Sequence, residues 1–178
     1  MAFVPHHSRP YNLGGPTGYL LTMRCYGTWL HGDARSSVDR KGHNIHGQPR
    51  LAPSSGRVEW QKGHLTHPPV YFNAQSRRVV DDAIRVASRQ RDWVVYALNV
   101  QRDHVHVVLS TSPNGAPNRM LAYLKARATF ALRGAGLLDE AAGPWSHHGS
   151  TVYCWTEEQL NAAIGYVLFN QPLPPEMM

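Results

Sequence analysis

Apolar and polar residues follow two regular patterns along most of the chain, and these patterns predict four strands and three helices. Runs rich in β-branched and aromatic residues predict the strands, at residues 18–26, 93–101, 104–111 and 150–155. Apolar residues at helical spacing predict the helices, at residues 73–91, 118–133 and about 157–170. The stripe of the first helix is Val80, Ala83, Ile84 and Ala87, and that of the second is Leu121, Leu124, Ala128 and Leu132.

The resulting order, β–α–β–β–α–β–α, predicts an α+β fold with a ferredoxin-like or RRM-like antiparallel sheet, helices on one face, and an additional C-terminal helix. Residues 1–17 are rich in Pro, Gly and His and are interpreted as a flexible arm, and residues 173–178 as a tail. Residues 27–70 lack either periodicity. They are interpreted as a long loop insertion that caps the sheet or contacts a ligand. We therefore expect a single domain over residues 18–172.

Composition narrows the class of protein. A hydrophobic fraction of 42% in 178 residues excludes a wholly disordered chain. No apolar run reaches the length of a membrane helix, and the first residues lack the pattern of a secretory signal. Cys25 and Cys154 are the only cysteines and fall in strand-like segments, so we expect free buried thiols and no disulfide framework. These features predict a cytoplasmic protein with no membrane partner.

The net charge of +6 and the pI of about 9.6 indicate a polyanionic partner such as nucleic acid. The basic side chains that we expect to contact DNA phosphates are Arg24, Arg119, Lys125 and Arg127. Such contacts supply affinity and little sequence information. Trp29, Trp60 and Tyr71 are candidates for stacking on unpaired bases, or alternatively for small satellite cores under the insertion.

A pair of histidines carries the most informative chemistry. In the predicted strand at 104–111, His104 and His106 alternate with Val105 and Val107. Successive side chains of a strand point to opposite faces, so both imidazoles lie on one face and the valines pack against the helices on the other. Two imidazoles at this spacing can bind one divalent ion. A His-x-His pair alone is a weak signal and is more typical of ordinary hydrogen-bonded histidines.

The last predicted helix adds a second group. Its apolar arc consists of Leu160, Ala163, Ile164, Val167 and Leu168. Tyr166 lies at the margin of this arc, and Asn170 lies about 40° from it around the helix, so both face one direction. A helix packed on the open face of the sheet would bring both side chains towards the His pair. Taken alone, Tyr166 is also compatible with a tyrosine at the edge of the core.

This combination resembles the HUH endonucleases, and most closely the single-tyrosine transposases of small bacterial insertion sequences of the IS200 type and their REP-associated relatives. The similar segments, in order, are residues 103–110, 121–129, 145–152 and 156–172. The resemblance therefore extends over nearly the whole predicted domain. The insertion at 27–70 is much longer than a compact family member needs.

The resemblance implies metal-dependent cleavage and rejoining of single-stranded DNA. Tyr166 would attack a DNA phosphate, leaving a 5′-phosphotyrosine link and a free 3′-hydroxyl. His104 and His106 would bind Mg²⁺ or Mn²⁺, with Asn170 as a third ligand and Gln171 as its reserve. The implied partners are single-stranded or hairpin DNA at the ends of an element and a second copy of the chain. The implied location is the bacterial cytoplasm, in association with the nucleoid.

Several alternatives stay open at this point. One is a domesticated relative that binds hairpin DNA without cleaving it, and another is an HUH replication initiator or relaxase. An RRM-like RNA-binding module would display aromatic residues on the open face, where this chain is predicted to display His104, His106 and Val108. A zinc site formed by His43, His46, His64 and His67 is disfavoured because no cysteine accompanies them. The strand at 150–155 is the edge most suited to pairing with a second subunit.

Overall fold

The computed structural model describes residues 15–35, 51–110 and 116–169. Within these ranges the elements are β1 Gly18–Cys25, α1 Ser55–Gly63, α2 Ala74–Arg89, β2 Val94–Val100, β3 His104–Ser110, α3 Pro117–Gly134, β4 Trp145–Cys154 and α4 Glu157–Phe169. Most of the predicted N-terminal arm and the whole predicted tail lie outside the described residues.

The four strands form one antiparallel sheet in the order β2-β3-β1-β4. The predicted α+β class and the ferredoxin-like arrangement are therefore confirmed. β3 and β1 occupy the centre, so the strand that carries His104 and His106 is hydrogen-bonded on both sides. β4 is an edge strand, as the sequence predicted.

Local sequence signals account for most element ends. The side chain of Asn73 accepts a hydrogen bond from the Ser76 N–H at the start of α2, and α3 begins at Pro117, where a missing N–H costs nothing. Glu157 and Glu158 occupy the first turn of α4, where the helix dipole favours negative charge. The predicted helices therefore agree with α2, α3 and α4 to within a few residues.

Two elements differ from the prediction. The insertion contains a helix, α1, which has no buried residue and therefore no apolar stripe for a periodicity search to find. Its sequence signal is the N-cap Ser54, whose side chain accepts from the Arg57 N–H. β4 begins at Trp145, five residues earlier than expected. The hydropathy pattern did not predict its first residues because they include exposed polar residues such as His147 and His148.

The main hydrophobic core lies between the sheet and the pair of helices α2 and α3. Val105, Val107 and Leu109 of β3 are fully buried there, as the alternation predicted. They pack with the predicted helix stripes, including Ile84 of α2 and Leu124 of α3. Each such side chain contributes about 1.5–3 kcal/mol on burial. The residues on this face of the sheet therefore stabilise the fold.

The other face carries a smaller cluster beneath α4. Val108 of β3 and Val167 of α4 are both fully buried in it, and Ala163 and Cys154 pack beside them. Leu168 was expected on the apolar arc of α4, but it is 42% exposed. With Val167 centred on the sheet, the next residue is rotated by about 100° towards solvent. α4 therefore lies on the face predicted to carry the histidines.

Cys25 and Cys154 are free and buried, as expected. Burial raises the pKa of both thiols above the ordinary value, which makes them poor nucleophiles. None of the helices within the described ranges combines the length and apolar character needed to cross a membrane.

Candidate active site

The candidate site lies on the face of the sheet that carries α4, at the end where β3 begins. In the sheet register, Thr22 of β1 and Asn99 of β2 flank His106, and Arg24 of β1 is opposite His104. Directly opposed residues of antiparallel strands project from the same face. The sheet therefore presents a row of polar side chains at this end and the apolar cluster of Val108 at the other.

His106 is a buried, neutral imidazole. Only 8% of the residue is exposed, and its Nδ1 lies 2.9 Å from the hydroxyl of Thr22. Burial lowers the pKa of His106 to about 4, and the nearby side chains of His104 and Arg24 act in the same direction. At neutral pH the ring therefore retains a lone pair that can bind a cation.

The lowered pKa of His106 predicts an acid-sensitive fold in metal-free protein. The unfolded imidazole takes up a proton near pH 6.5 and the folded one only near pH 4, so stability is lost as the pH falls through this window. Between pH 7 and pH 4 the wild-type protein should lose about 3 kcal/mol more unfolding free energy than His106→Asn, which keeps a polar group for Thr22. Denaturant unfolding in EDTA measures this difference, and parallel curves for the two proteins would contradict it.

His104 is oriented by the residue that precedes it. Its Nδ1 lies 2.6 Å from Oδ1 of Asp103, and this hydrogen bond is the largest cause of the lowered pKa of that carboxyl group. An ionised carboxylate can only accept, so the proton of the pair lies on Nδ1 of His104. The rings of His104 and His106 are 4.7 Å apart between centroids. In both rings Nδ1 has a protein partner, the arrangement by which proteins present Nε2 to a metal.

Tyr166 lies beside this pair, as the sequence predicted. It projects from α4, is 39% exposed, and its ring contacts His106 edge to face with centroids 5.5 Å apart. The helix is held over the site by Asn99, whose side-chain N–H donates to the carbonyl of Val167 at 3.1 Å. Gln101 donates in turn to Oδ1 of Asn99 at 2.9 Å. The phenol is therefore both accessible and fixed next to an imidazole.

Sequence reasoning did not single out Asn99, Gln101 or Thr22 as site residues. The available signal is strongest for Asn99, an amide near the end of the otherwise apolar strand β2. Asn170 and Gln171, the expected third metal ligands, lie outside the described residues, which end at Phe169. Within the described ranges no three His, Cys, Asp or Glu side chains are grouped to hold a metal. Two oriented imidazoles, one of them neutral, nevertheless fit a divalent ion that completes its shell with amide and phosphate oxygens.

The expected DNA-contacting residues lie on opposite faces of the sheet. Arg24 lies at the site, with its guanidinium 3.5 Å from the ring centroid of Trp29. Arg119 and Arg127 belong to α3, which packs on the opposite face of the sheet from the histidines. Arg127 is partly exposed and lies over the ring of Phe130. Of the four predicted cations, Arg24 is therefore the one placed beside the candidate chemistry.

Lys125 differs from the expectation of an exposed, phosphate-binding side chain. It is buried, and its ammonium group donates to the carbonyls of Ser146 at 2.8 Å and His148 at 3.2 Å. Burial lowers the pKa of Lys125 to about 8. The side chain ties α3 to the beginning of β4 rather than facing solvent.

The candidate stacking aromatics are also described. The guanidinium groups of Arg24 and Arg35 both lie over the ring of Trp29. Trp60 is 63% and Tyr71 50% exposed, so these two are not satellite cores. His64 and His67 each bond a backbone carbonyl through Nδ1 and stack on a neighbouring ring. His43 and His46, the other half of the disfavoured zinc site, lie outside the described residues.

Comparison with known proteins was made at three levels. Residues 69–147 match the family described as transposase IS200-like, a stretch that contains both histidines and ends before Tyr166. A search of curated proteins finds no match. Among solved structures, a REP-associated tyrosine transposase bound to a REP hairpin is 12% identical, with 96% of this chain and 72% of that chain covered and a TM-score of 0.48.

A candidate transposase from Deinococcus radiodurans R1 is 16% identical, with 92% of this chain and 96% of that chain covered and a TM-score of 0.48. The family match includes the strand from which the resemblance was first inferred, at His104 and His106. The predicted resemblance is therefore confirmed for residues 69–147, which are similar to the IS200-like transposases.

Proposed function

We propose that this protein is a metal-dependent endonuclease and transposase that cleaves and rejoins single-stranded DNA through a 5′-phosphotyrosine at Tyr166. The similarity of residues 69–147 to the IS200-like transposases supports a DNA-processing enzyme in general terms. The observation that carries the finer proposal is the contact between the accessible phenol of Tyr166 and the neutral imidazole of His106, with His104 alongside. A nucleic-acid binder without cleavage has no need for these three groups together.

The chemistry follows from the properties of the groups. A protonated phenol is a weak nucleophile, so Tyr166 attacks effectively only if its proton leaves during the reaction. As the bond between the Tyr166 oxygen and phosphorus forms, the bond from phosphorus to the 3′-oxygen breaks, and the released 3′-oxygen takes up a proton to become the 3′-hydroxyl. The reverse reaction rejoins the strand. The linkage conserves the phosphodiester, so rejoining needs no nucleotide cofactor.

His104 and His106 would hold the divalent ion, Mg²⁺ or Mn²⁺, and Asn170 or Gln171 would supply a further ligand. When bound, such an ion neutralises charge on the phosphate that is attacked. The protein itself arranges the groups of this site. Thr22 and Asp103 orient the imidazoles, and Asn99 fixes the helix that carries Tyr166. Arg24 would bind a phosphate next to the site.

The proposed partner is single-stranded or hairpin DNA, in keeping with the net charge of +6. Arg119 and Arg127 on the far face would contact DNA away from the cleavage point. The edge strand β4 would pair with the same strand of a second copy to form a homodimer. An RRM-like module is disfavoured because α4 covers the central part of the open face, where Val108 is fully buried.

The test is a covalent adduct. The protein is incubated with end-labelled single-stranded DNA from the flanks of its own gene and with Mg²⁺ or Mn²⁺, and the products are separated in SDS. We expect a labelled protein band that EDTA prevents and that mass spectrometry of the digested protein maps to the peptide containing Tyr166. Salt-sensitive binding of hairpin DNA with no adduct on any flank would instead identify a domesticated binder.

A further inference from the structure

The beginning of the long insertion after β1 reaches the candidate site through one carboxylate. Asp103 immediately precedes β3 and divides its two oxygens between two partners. Oδ1 accepts from Nδ1 of His104 at 2.6 Å, and Oδ2 accepts from Nη1 of Arg35 at 3.3 Å. Resting on the proposed role of His104 as a metal ligand, we propose that Asp103 and Arg35 are positioning residues that fix the tautomer and orientation of His104.

Arg35 is itself held on several sides. Its Nε and Nη2 donate to the two carboxylate oxygens of Asp33 at 2.9 and 2.8 Å. Nη2 also donates to the carbonyl of Thr28 at 2.8 Å, and the guanidinium lies 4.3 Å from the ring centroid of Trp29. A guanidinium held by a carboxylate, a backbone carbonyl and an aromatic ring has little freedom to move. Its contact with Asp103 therefore sets where the carboxylate points.

The backbone of Asp103 is anchored by the same segment. Its carbonyl accepts from the Cys25 N–H at 2.9 Å and from the Thr28 hydroxyl at 3.3 Å. The turn that makes this approach uses Gly27, which has a φ of +72° that other residues rarely adopt. The last residue of β1 and Thr28 of the insertion thus hold the main chain of Asp103, and Arg35 of the insertion holds its side chain, immediately before the first of the two histidines.

α1 supports this segment from behind. The Ser54 N–H at the start of the helix donates to the carbonyl of Gly32 at 2.8 Å, and Gln61 accepts from the His31 N–H at 2.9 Å. A Cβ on Gly32 would approach the carbonyl oxygen of Ser54 to 2.7 Å, so the two pieces are in close contact. These contacts hold the described part of the insertion together next to the site, whereas a simple surface loop would not need them.

The physical effect is on the ring of His104. Asp103 requires the proton on Nδ1, which leaves Nε2 as the basic nitrogen that a cation needs. Without the carboxylate the ring can adopt the other tautomer or rotate. Arg35 is 44% exposed at its side chain, so solvent screens its charge and its contribution is mainly geometric.

The test uses Asp103→Ala, Arg35→Ala and the double variant, with Arg85→Ala as a control. Arg85 forms an ion pair with Asp81 at 2.6 Å on the exposed side of α2, away from the site. Long-range ¹H–¹⁵N NMR of the metal-free protein reports the tautomer of His104, and Mn²⁺ titration followed by EPR reports metal affinity. Thermal unfolding checks that each variant is folded.

We expect wild type and Arg85→Ala to show the Nδ1-protonated tautomer, and Asp103→Ala to show a mixture and about 10- to 100-fold weaker Mn²⁺ binding. Arg35→Ala should shift both readouts in the same direction by less, and should add nothing when Asp103 is already alanine. An unchanged tautomer in a folded Asp103→Ala, or additive effects in the double variant, would overturn the proposal. If wild type binds no Mn²⁺ and forms no DNA adduct, the proposed function fails, and the NMR comparison still decides whether Asp103 and Arg35 position His104.

Discussion

Tyr166→Phe is expected to abolish the SDS-resistant protein–DNA band completely while the protein still folds and binds DNA. The substitution removes one hydroxyl group, the atom that would form the bond to phosphorus. The phenyl ring can keep its edge-to-face contact with His106. Because the side chain is 39% exposed, little stability depends on the lost oxygen. Neither the fold nor the basic surface is altered, so salt-dependent DNA binding should match that of wild type.

The matched control for this substitution is Tyr153→Phe. Tyr153 is exposed to a similar extent, at 44%, but lies on the edge strand β4 with its ring against Tyr19. It should leave the covalent band unchanged. A band of normal intensity in Tyr166→Phe would show that another group is the nucleophile, and its position could be read from the labelled peptide.

The regular part of the site could be predicted because it depends on local periodicity. Alternation along β3 placed His104 and His106 on the face opposite Val105 and Val107, and helical spacing placed Tyr166 beside the arc centred on Val167. The element order indicated a sheet with one open face, and a helix packed on that face would bring Tyr166 towards the histidines. The structure agrees on each of these points.

The supporting contacts could not be predicted in the same way. The hydrogen bond from Asn99 to the carbonyl of Val167 joins residues 68 positions apart, as does the ion pair between Arg35 and Asp103. The first bond ends on a backbone carbonyl and the second joins two charged side chains, so hydropathy carries no information about either contact. Lys125 is a charged residue that was expected to be exposed but is buried. Its burial depends on hydrogen bonds to the carbonyls of Ser146 and His148, which are distant in sequence and are brought near by the fold.

The two faces of the sheet therefore have different roles. The face under α2 and α3 contains the larger apolar core, and its residues are ones whose replacement would cost stability. The face under α4 contains a small apolar cluster beside a row of polar side chains. The helix covers the apolar cluster and leaves the polar row partly accessible. Tyr166 on α4 is in this way held beside His106 and is still accessible to solvent.

The second large effect is expected from the histidines. His104→Ala should reduce Mn²⁺ affinity and adduct formation by more than about 100-fold, the upper end of what loss of an outer-shell partner costs. His104 has 20% of its side chain exposed, so this variant should remain folded. His106→Ala should show the same loss of adduct and also a lower unfolding free energy, since it empties a buried site and leaves the Thr22 hydroxyl without its partner.

The control is His147→Ala, an exposed imidazole on β4 that should leave metal binding and cleavage as in wild type. Equilibrium Mn²⁺ binding, adduct yield and hairpin-DNA affinity are measured on the same preparations. DNA affinity should persist in all three variants, because it depends on arginines rather than on the His pair. Cleavage within a few-fold of wild type in His104→Ala would mean that Tyr166 works without a paired-imidazole metal site, and would remove the basis for assigning these histidines as ligands.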